Sequence, residues 1–302
     1  MKIKYTRCIL FNTAMSNIEI HKGEHFTAST GLSSPTKIKA IVFDLDETLG
    51  HFSNLRELSG VIEELMRRPL KQMEFDELLN LFPEFLRPGI LTILEFLHYK
   101  KTQGALNKVY IYTNNQCGKA WVDRIVAYIH SKIGATKPLF DDTIYAFKIK
   151  NQVVDVRRTT NNKTHGDLIK CTMLKDDAAE ICFIDDKKYT RMYGERVYYI
   201  QPRPYIHSLS KQDIIHRVID NMPGFVMHEK DALRDALKDA LHNFQKDDKH
   251  NLTSNIEITK KIMYYVREFL YFNRGGAKHT QKRRYPNFRK TVKKGAKPYQ
   301  KT

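Results

Sequence analysis

Asp44 and Asp46 stand two residues apart, directly after the apolar run Ile38–Phe43. On an extended segment, side chains two apart share a face, so both carboxylates project toward one place. One can attack phosphorus and form an aspartyl phosphate. The other can protonate the leaving oxygen and later deprotonate a water. Asp185 and Asp186 follow a second apolar run, residues 181–184. The oxygen-only set Asp44, Asp46, Asp185 and Asp186 suits Mg²⁺, whose charge offsets repulsion between a carboxylate nucleophile and an incoming phosphate. Thr113 and Asn114 follow a third run, residues 109–112, and offer hydrogen bonds to phosphate oxygens. A lysine is needed to neutralise phosphate and nucleophile together.

These residues need a scaffold that brings three strand ends to one place. The runs at Ile38–Phe43, 109–112, 181–184 and 197–200 read as buried strands. Helical periodicity lies between them, at Ile90–Thr102, at 119–133 and, more briefly, at 168–174. Strands alternating with helices imply right-handed crossovers and a parallel sheet, with ligands beyond the carboxyl ends of the strands. The expected fold is α/β, a Rossmann-like doubly wound parallel sheet. A small helical insert at 51–88 follows the first strand and could pack over the site as a cap. Helices at Lys211–Asn221, 229–244 and 256–272 pack back onto the sheet. The expected organisation is an N-terminal extension (1–36), a catalytic domain (37–221), a C-terminal helical segment (222–273) and a basic tail (274–302).

Asp44, Asp46 and Thr48 match the D-x-D-x-T motif, and the string VFDLDETL at 42–49 resembles the haloacid-dehalogenase superfamily of phosphatases. Within it, the similarity is to the branch containing the RNA polymerase II C-terminal-domain phosphatases. LRPG at 86–89 resembles that branch's second block, YIYTN at 110–114 the superfamily's second motif, and FIDD at 183–186 its fourth. The likeness spans roughly residues 37–205. It implies Asp44 as nucleophile, Asp46 as acid and base, Thr48 as an orienting residue, and Mg²⁺ as cofactor. It also implies a third-motif lysine that binds phosphate. Lys163, ahead of a short helix, stands where the family places that lysine; Lys170 has the more usual distance to Asp185 and is the alternative. The C-terminal-domain phosphatases usually carry Asp-Asn at the fourth motif and a strand-rich insert, whereas this chain has Asp185-Asp186 and a helical insert.

The other acids and rings have plainer readings. Glu47 occupies a variable slot, and Trp121 reads as helix packing. His165 reads as a loop residue, and Asp141-Asp142 and Asp176-Asp177 as turn or helix-start acids.

The chain of 302 residues is 41% hydrophobic, enough for a sizeable core, and carries a net charge of +17. Eleven of these charges lie in 274–302, which has no acid, leaving +6 on the rest. Such a tail reads as disordered when free, and as an arm for nucleic acid or another polyanion, an import signal, or an inert extension. Cys8, Cys117, Cys171 and Cys182 form no C-x-x-C pair, which suits a reducing compartment. No apolar run reaches the roughly 18 residues needed to span a bilayer. A soluble intracellular protein is expected, cytoplasmic or nuclear, starting at Met1 or Met15.

Three functions fit: a phosphoserine/phosphothreonine protein phosphatase, a nucleic-acid end phosphatase, and a non-catalytic binding module on the same fold. A basic groove in the folded body favours the second over the first.

Overall fold

The computed structural model describes residues 18–27, 38–221, 227–242 and 252–272. The basic tail and most of the 1–36 segment lie outside the described residues. In chain order the elements are β1 (Ile18–Lys22), β2 (Ile38–Phe43), α1 (Ser53–Leu65), α2 (Gln72–Asn80), α3 (Ile90–Thr102), β3 (Lys108–Tyr112), α4 (Lys119–Lys132), β4 (Asp142–Ile144), β5 (Lys148–Ile149), β6 (Gln152–Val153), α5 (His165–Thr172), β7 (Ala179–Ile184), β8 (Val197–Pro202), α6 (Lys211–Asn221), α7 (Met227–Ala240) and α8 (Leu252–Tyr271).

Six strands form one sheet in the order β1-β8-β7-β2-β3-β4, parallel except for β1. Both faces are covered, as an all-apolar parallel strand requires. Ile41, Phe43, Ile111, Cys182 and Ile184 pack into the larger apolar layer with α1 to α4 and α6 to α8. Ala40, Val42, Tyr110, Tyr112, Ile181 and Phe183 face Leu168 and Cys171 of α5. The α/β class with a mostly parallel sheet is therefore as expected. Among the described residues, no helix is long and apolar enough to cross a membrane.

Several elements escaped sequence reading. β1 pairs antiparallel with β8 at the sheet edge, inside the segment read as an aperiodic extension. Its only signal was Ile18 and Ile20 alternating with polar residues, too short to stand out in a five-residue edge strand. Asp142 opens β4 rather than a turn, while Asp141 accepts from the Val109 amide and pairs with Lys101 and Lys108. His165 is the first residue of α5, facing Asp176 at 3.4 Å. The 51–88 insert is helical, but α1 and α2 bury Leu55, Leu58, Ile62, Phe75 and Leu78 in the main core rather than standing apart as a lid.

The insert is tied to the segment after β8 by buried polar contacts. His207, 1% exposed, accepts from the Leu209 amide at Nδ1 and lies 2.9 Å from Asn54 Oδ1 at Nε2. Its ring lies tilted against His51 and Phe85, with centroids 4.9 Å and 4.8 Å away. Burial, then the neighbouring His51, pushes its pKa down from 6.5 to about 3. The unfolded chain thus binds a proton below pH 6.5 that the folded chain refuses, so stability falls as pH drops from 6.5 toward 3. At pH 5 the loss from this group should be about 2 kcal/mol. Urea denaturation of His207→Gln and the parent at pH 7.5 and pH 5 should show a shallower acid loss in the variant; equal losses would remove His207 as the cause.

Candidate active site

Sheet register brings the acids together. Phe43 is level with Ile184 of β7 and with Ile111 of β3, so Asp44 and Asp185 emerge side by side one residue later. The chain leaves β2 toward β3 and β4 on one side and returns to β7 and β8 on the other. That reversal opens a crevice beyond the strand ends, where open α/β sheets bind ligands.

Lys163 enters this crevice from the loop before α5. It is 1% exposed, and its Nζ donates to Asp44 Oδ1 and to Asp185 Oδ2, the latter at 2.6 Å. The rings of Tyr112, Phe183 and Tyr189 surround the ammonium at 5.5–5.9 Å. Burial alone would lower the Lys163 pKa, but Asp185 and Asp44 overcome it and hold the ammonium above its usual range. Burial pushes the Asp185 carboxyl up in spite of Lys163, because one ammonium shared between two acids does not cover both. The lysine is positioned by its neighbour. The Thr164 amide donates to the Tyr112 hydroxyl at 3.2 Å, and the Thr164 side chain caps α5 by accepting from the Asp167 amide. Lys170 is exposed on α5 and does not line the cavity.

Asp44, Asp185 and Asp186 are buried, with one oxygen of each lying within 4.8 Å of the others. This triad could bind a metal ion. Asp186 Oδ1 accepts from Thr48 at 3.1 Å, and the Thr48 hydroxyl accepts from the Asp186 amide at 3.0 Å. Thr48 therefore orients Asp186 rather than touching Asp44. Asp186 Oδ2 is buried without a hydrogen-bond partner. An orphaned carboxylate oxygen in an oxygen-only set fits a hard divalent cation.

Asp46 departs from the expected ligand set. Its carboxylate lies outside the triad and accepts from Asn115 Nδ2 at 2.9 Å. Burial, then Asp44, raises its pKa to about 6, while Asn115 pulls it back. A carboxyl near 6 can both give and take a proton near neutrality. Next to it, Glu47 adopts a left-handed backbone (φ 56) that costs a non-glycine residue roughly 1–2 kcal/mol. The buried Arg87 of the LRPG string offsets this by donating to the carbonyls of Glu47 at 2.6 Å, Thr48 at 2.7 Å and Arg203 at 3.0 Å. Gly50 closes the same turn where the chain passes Phe85: a Cβ there would sit 2.4 Å from the Phe85 carbonyl.

Thr113 is buried and does not line the cavity; its hydroxyl accepts from the Asn115 amide at 3.0 Å. Asn114 does line it, with its side chain held by Arg158 at 2.7 Å and Tyr189 at 3.3 Å. The cavity, of about 250 Å³, is bounded by Asp44, Asp46, Glu47, Lys163, Lys187 and Tyr189, by residues 114–117, and by Phe52, Ser53, Arg56 and Trp121. The insert thus supplies one wall through α1. Trp121 packs in the core against Phe75, as expected, and also lines the cavity, with the Arg56 guanidinium 5.5 Å from its ring.

Sequence reading missed Asn115, Arg56, Lys187 and Arg158. Arg158 is the most informative of these. Buried against Tyr112, it donates to the carbonyls of Thr113, Tyr145, Asn161 and Asn162 and so braces the Asn114 loop against the Lys163 loop. Its only signal was the tandem Arg157-Arg158 shortly before Lys163.

Removing Lys163 would leave two buried carboxylates uncompensated, a loss on the scale of 3–5 kcal/mol. Lys163→Met should therefore be destabilised by about 3 kcal/mol, and partly rescued by millimolar Mg²⁺. Lys170→Ala should stay within about 0.5 kcal/mol of the parent, as exposed positions do. Thermal denaturation with and without Mg²⁺ measures both; equal effects of the two substitutions would contradict the pairing.

No protein-family model, no curated protein and no solved structure matches the chain.

Proposed function

We propose that this chain is a Mg²⁺-dependent hydrolase of phosphate monoesters that works through an aspartyl phosphate, in the manner of the haloacid-dehalogenase phosphatases its motifs resemble. The observation carrying this reading is the buried lysine between Asp44 and Asp185 at the sheet's switch point, with a metal-competent acid triad beside it.

Lys163 occupies Asp44 Oδ1 and leaves Oδ2 to attack phosphorus. As the Asp44–phosphorus bond forms, the ester oxygen departs and takes a proton from Asp46. Asp46, again a carboxylate, then removes a proton from water. That water attacks phosphorus, the bond to Asp44 breaks, and inorganic phosphate leaves. Asn115 keeps Asp46 turned toward the cavity, and Lys163 balances the charge of the attacking carboxylate and of the transferring oxygens. Mg²⁺, held by Asp44, Asp185 and Asp186, would supply the positive charge that lets a phosphate dianion approach these acids.

The resemblance directs this chemistry to phosphoserine or phosphothreonine in a protein. Hydrolysis at a nucleic-acid end is the second reading, favoured by one observation: a second cavity lined by lysines adjoins the first. A non-catalytic binding role is disfavoured because nucleophile, acid and base, lysine and metal-competent triad are all present.

Asp44→Asn should lose hydrolysis of an aryl phosphate by roughly 10⁴-fold, the scale on which single members of a catalytic unit act. Chelation should abolish the parent's activity and added Mg²⁺ should restore it. Near-parental rates in Asp44→Asn would exclude the covalent route, and full activity in excess chelator would exclude the metal.

A further inference from the structure

Beyond Asn114 and Gln116 the candidate active site opens into a second cavity of about 410 Å³, bounded on its far side by the β5–β6 hairpin. Its lining holds two lysines, Lys148 and Lys150, four amide side chains and no carboxylate. Three cations near it are held by carboxylates: Arg157 by Asp142 and Asp155, and Lys101 and Lys108 by Asp141. Among the described residues, Lys148 and Lys150 have no carboxylate partner; Lys148 lies 5.1 Å from the Phe147 ring. The hairpin turn puts Lys150 (φ 47) and Asn151 (φ 66) in the left-handed region. Asn tolerates this and Lys does so at a cost, so the lysine at the tip is held there against its own backbone preference.

Two unpaired cations, surrounded by amides and continuous with a phosphate-transfer pocket, make a subsite for a second anion. We infer that this cavity takes the phosphodiester adjoining the terminal phosphate of a single-stranded polynucleotide, so that the substrate of the Asp44 site is a polynucleotide end. The inference rests on the phosphatase reading above and names its substrate class. A polynucleotide presents a second anion beside the terminal phosphate in every molecule, whereas a phosphopeptide does so only where an acidic residue happens to follow. Amides hydrogen-bond phosphate, sugar and base edges, and the half-buried Phe147 adds a ring on which a base can stack. Apolar side-chain pockets, which a peptide would use, are lacking from this lining: its only apolar members are Ala146 and Phe147.

The test uses the full-length chain with Mg²⁺ and three substrates. These are an oligonucleotide phosphorylated at its better-used end, the same oligonucleotide with an uncharged methylphosphonate at the adjoining linkage, and a phosphoserine peptide with neutral flanks. The parent should prefer the charged oligonucleotide over the methylphosphonate by about tenfold in kcat/KM, and over the peptide by more. In Lys148→Gln/Lys150→Gln the first preference should fall to near one. Both proteins keep the basic tail, so the difference reports the hairpin alone. Binding of the labelled charged oligonucleotide to Asp44→Asn should also lose salt dependence on adding the two substitutions, by about 0.7 in slope per contact removed. Equal use of charged and neutral linkages by the parent, an undiminished preference in the double variant, or better turnover of the peptide would each overturn the inference. If no ester is hydrolysed, the phosphatase reading fails, and the binding measurement then decides the subsite: an unchanged salt slope overturns it and a reduced one supports it.

Discussion

The site turns on one buried ammonium. Four acids, Asp44, Asp46, Asp185 and Asp186, converge at the ends of two neighbouring strands, and like charges in a low-dielectric crevice repel strongly. Lys163, fully buried and hydrogen-bonded to two of them, makes that convergence tolerable. It does not cover the whole charge. The pKa values of Asp46 and Asp186 are both raised to about 6, chiefly by burial and then by Asp44. The residual negative charge, together with the unpartnered Asp186 Oδ2, is what a divalent cation would relieve. The lysine that permits the acids to be buried also lines the cavity they face.

Around this centre, buried arginines hold loops that secondary structure does not. Arg87 fixes the turn after Asp46 through two carbonyls and ties it to Arg203 through a third, and Arg158 joins the Asn114 and Lys163 loops through four. A guanidinium has five donors in a rigid fork, so it can satisfy several carbonyls that helices and strands leave open. The left-handed Glu47 is stable only within such bracing. At the opposite end of the sheet the same logic appears without a cavity. Glu180 of β7, wholly buried, accepts from Lys39 of β2 at 2.8 Å and contacts His25 at 2.9 Å, while Lys39 also donates to the Phe269 carbonyl of α8. That network docks the N-terminal strand region and the last helix onto the sheet.

Charge is distributed with a purpose that net charge conceals. The sequence places most of its excess in the 274–302 tail, yet the cations that line the two cavities are few and local. Lys163 and Lys187 lie at the acids, Arg56 at the opening, and Lys148 and Lys150 in the adjoining cavity. The acids and cations of the first cavity are interspersed, whereas the adjoining cavity carries lysines and no acid.

The sequence by itself determined the strands, the major helices and the acids. A parallel strand buried on both faces must be continuously apolar, so β2, β3, β7 and β8 were visible as runs, and an acid at the end of such a run can only emerge at the sheet's rim. Elements too short or too polar for that signature, β1, β4 and the β5–β6 hairpin, were not visible. Only the tertiary structure decided which lysine serves the acids: Lys163 and Lys170 are seven residues apart, and the capping of α5 at Thr164 turns one into the crevice and leaves the other on the surface. It also decided that Asp46 stands apart from the triad, that Thr113 supports the loop from beneath, and that Arg158 braces it. Those outcomes depend on which loops meet at the switch point, and that follows from strand order and side-chain reach rather than from local periodicity.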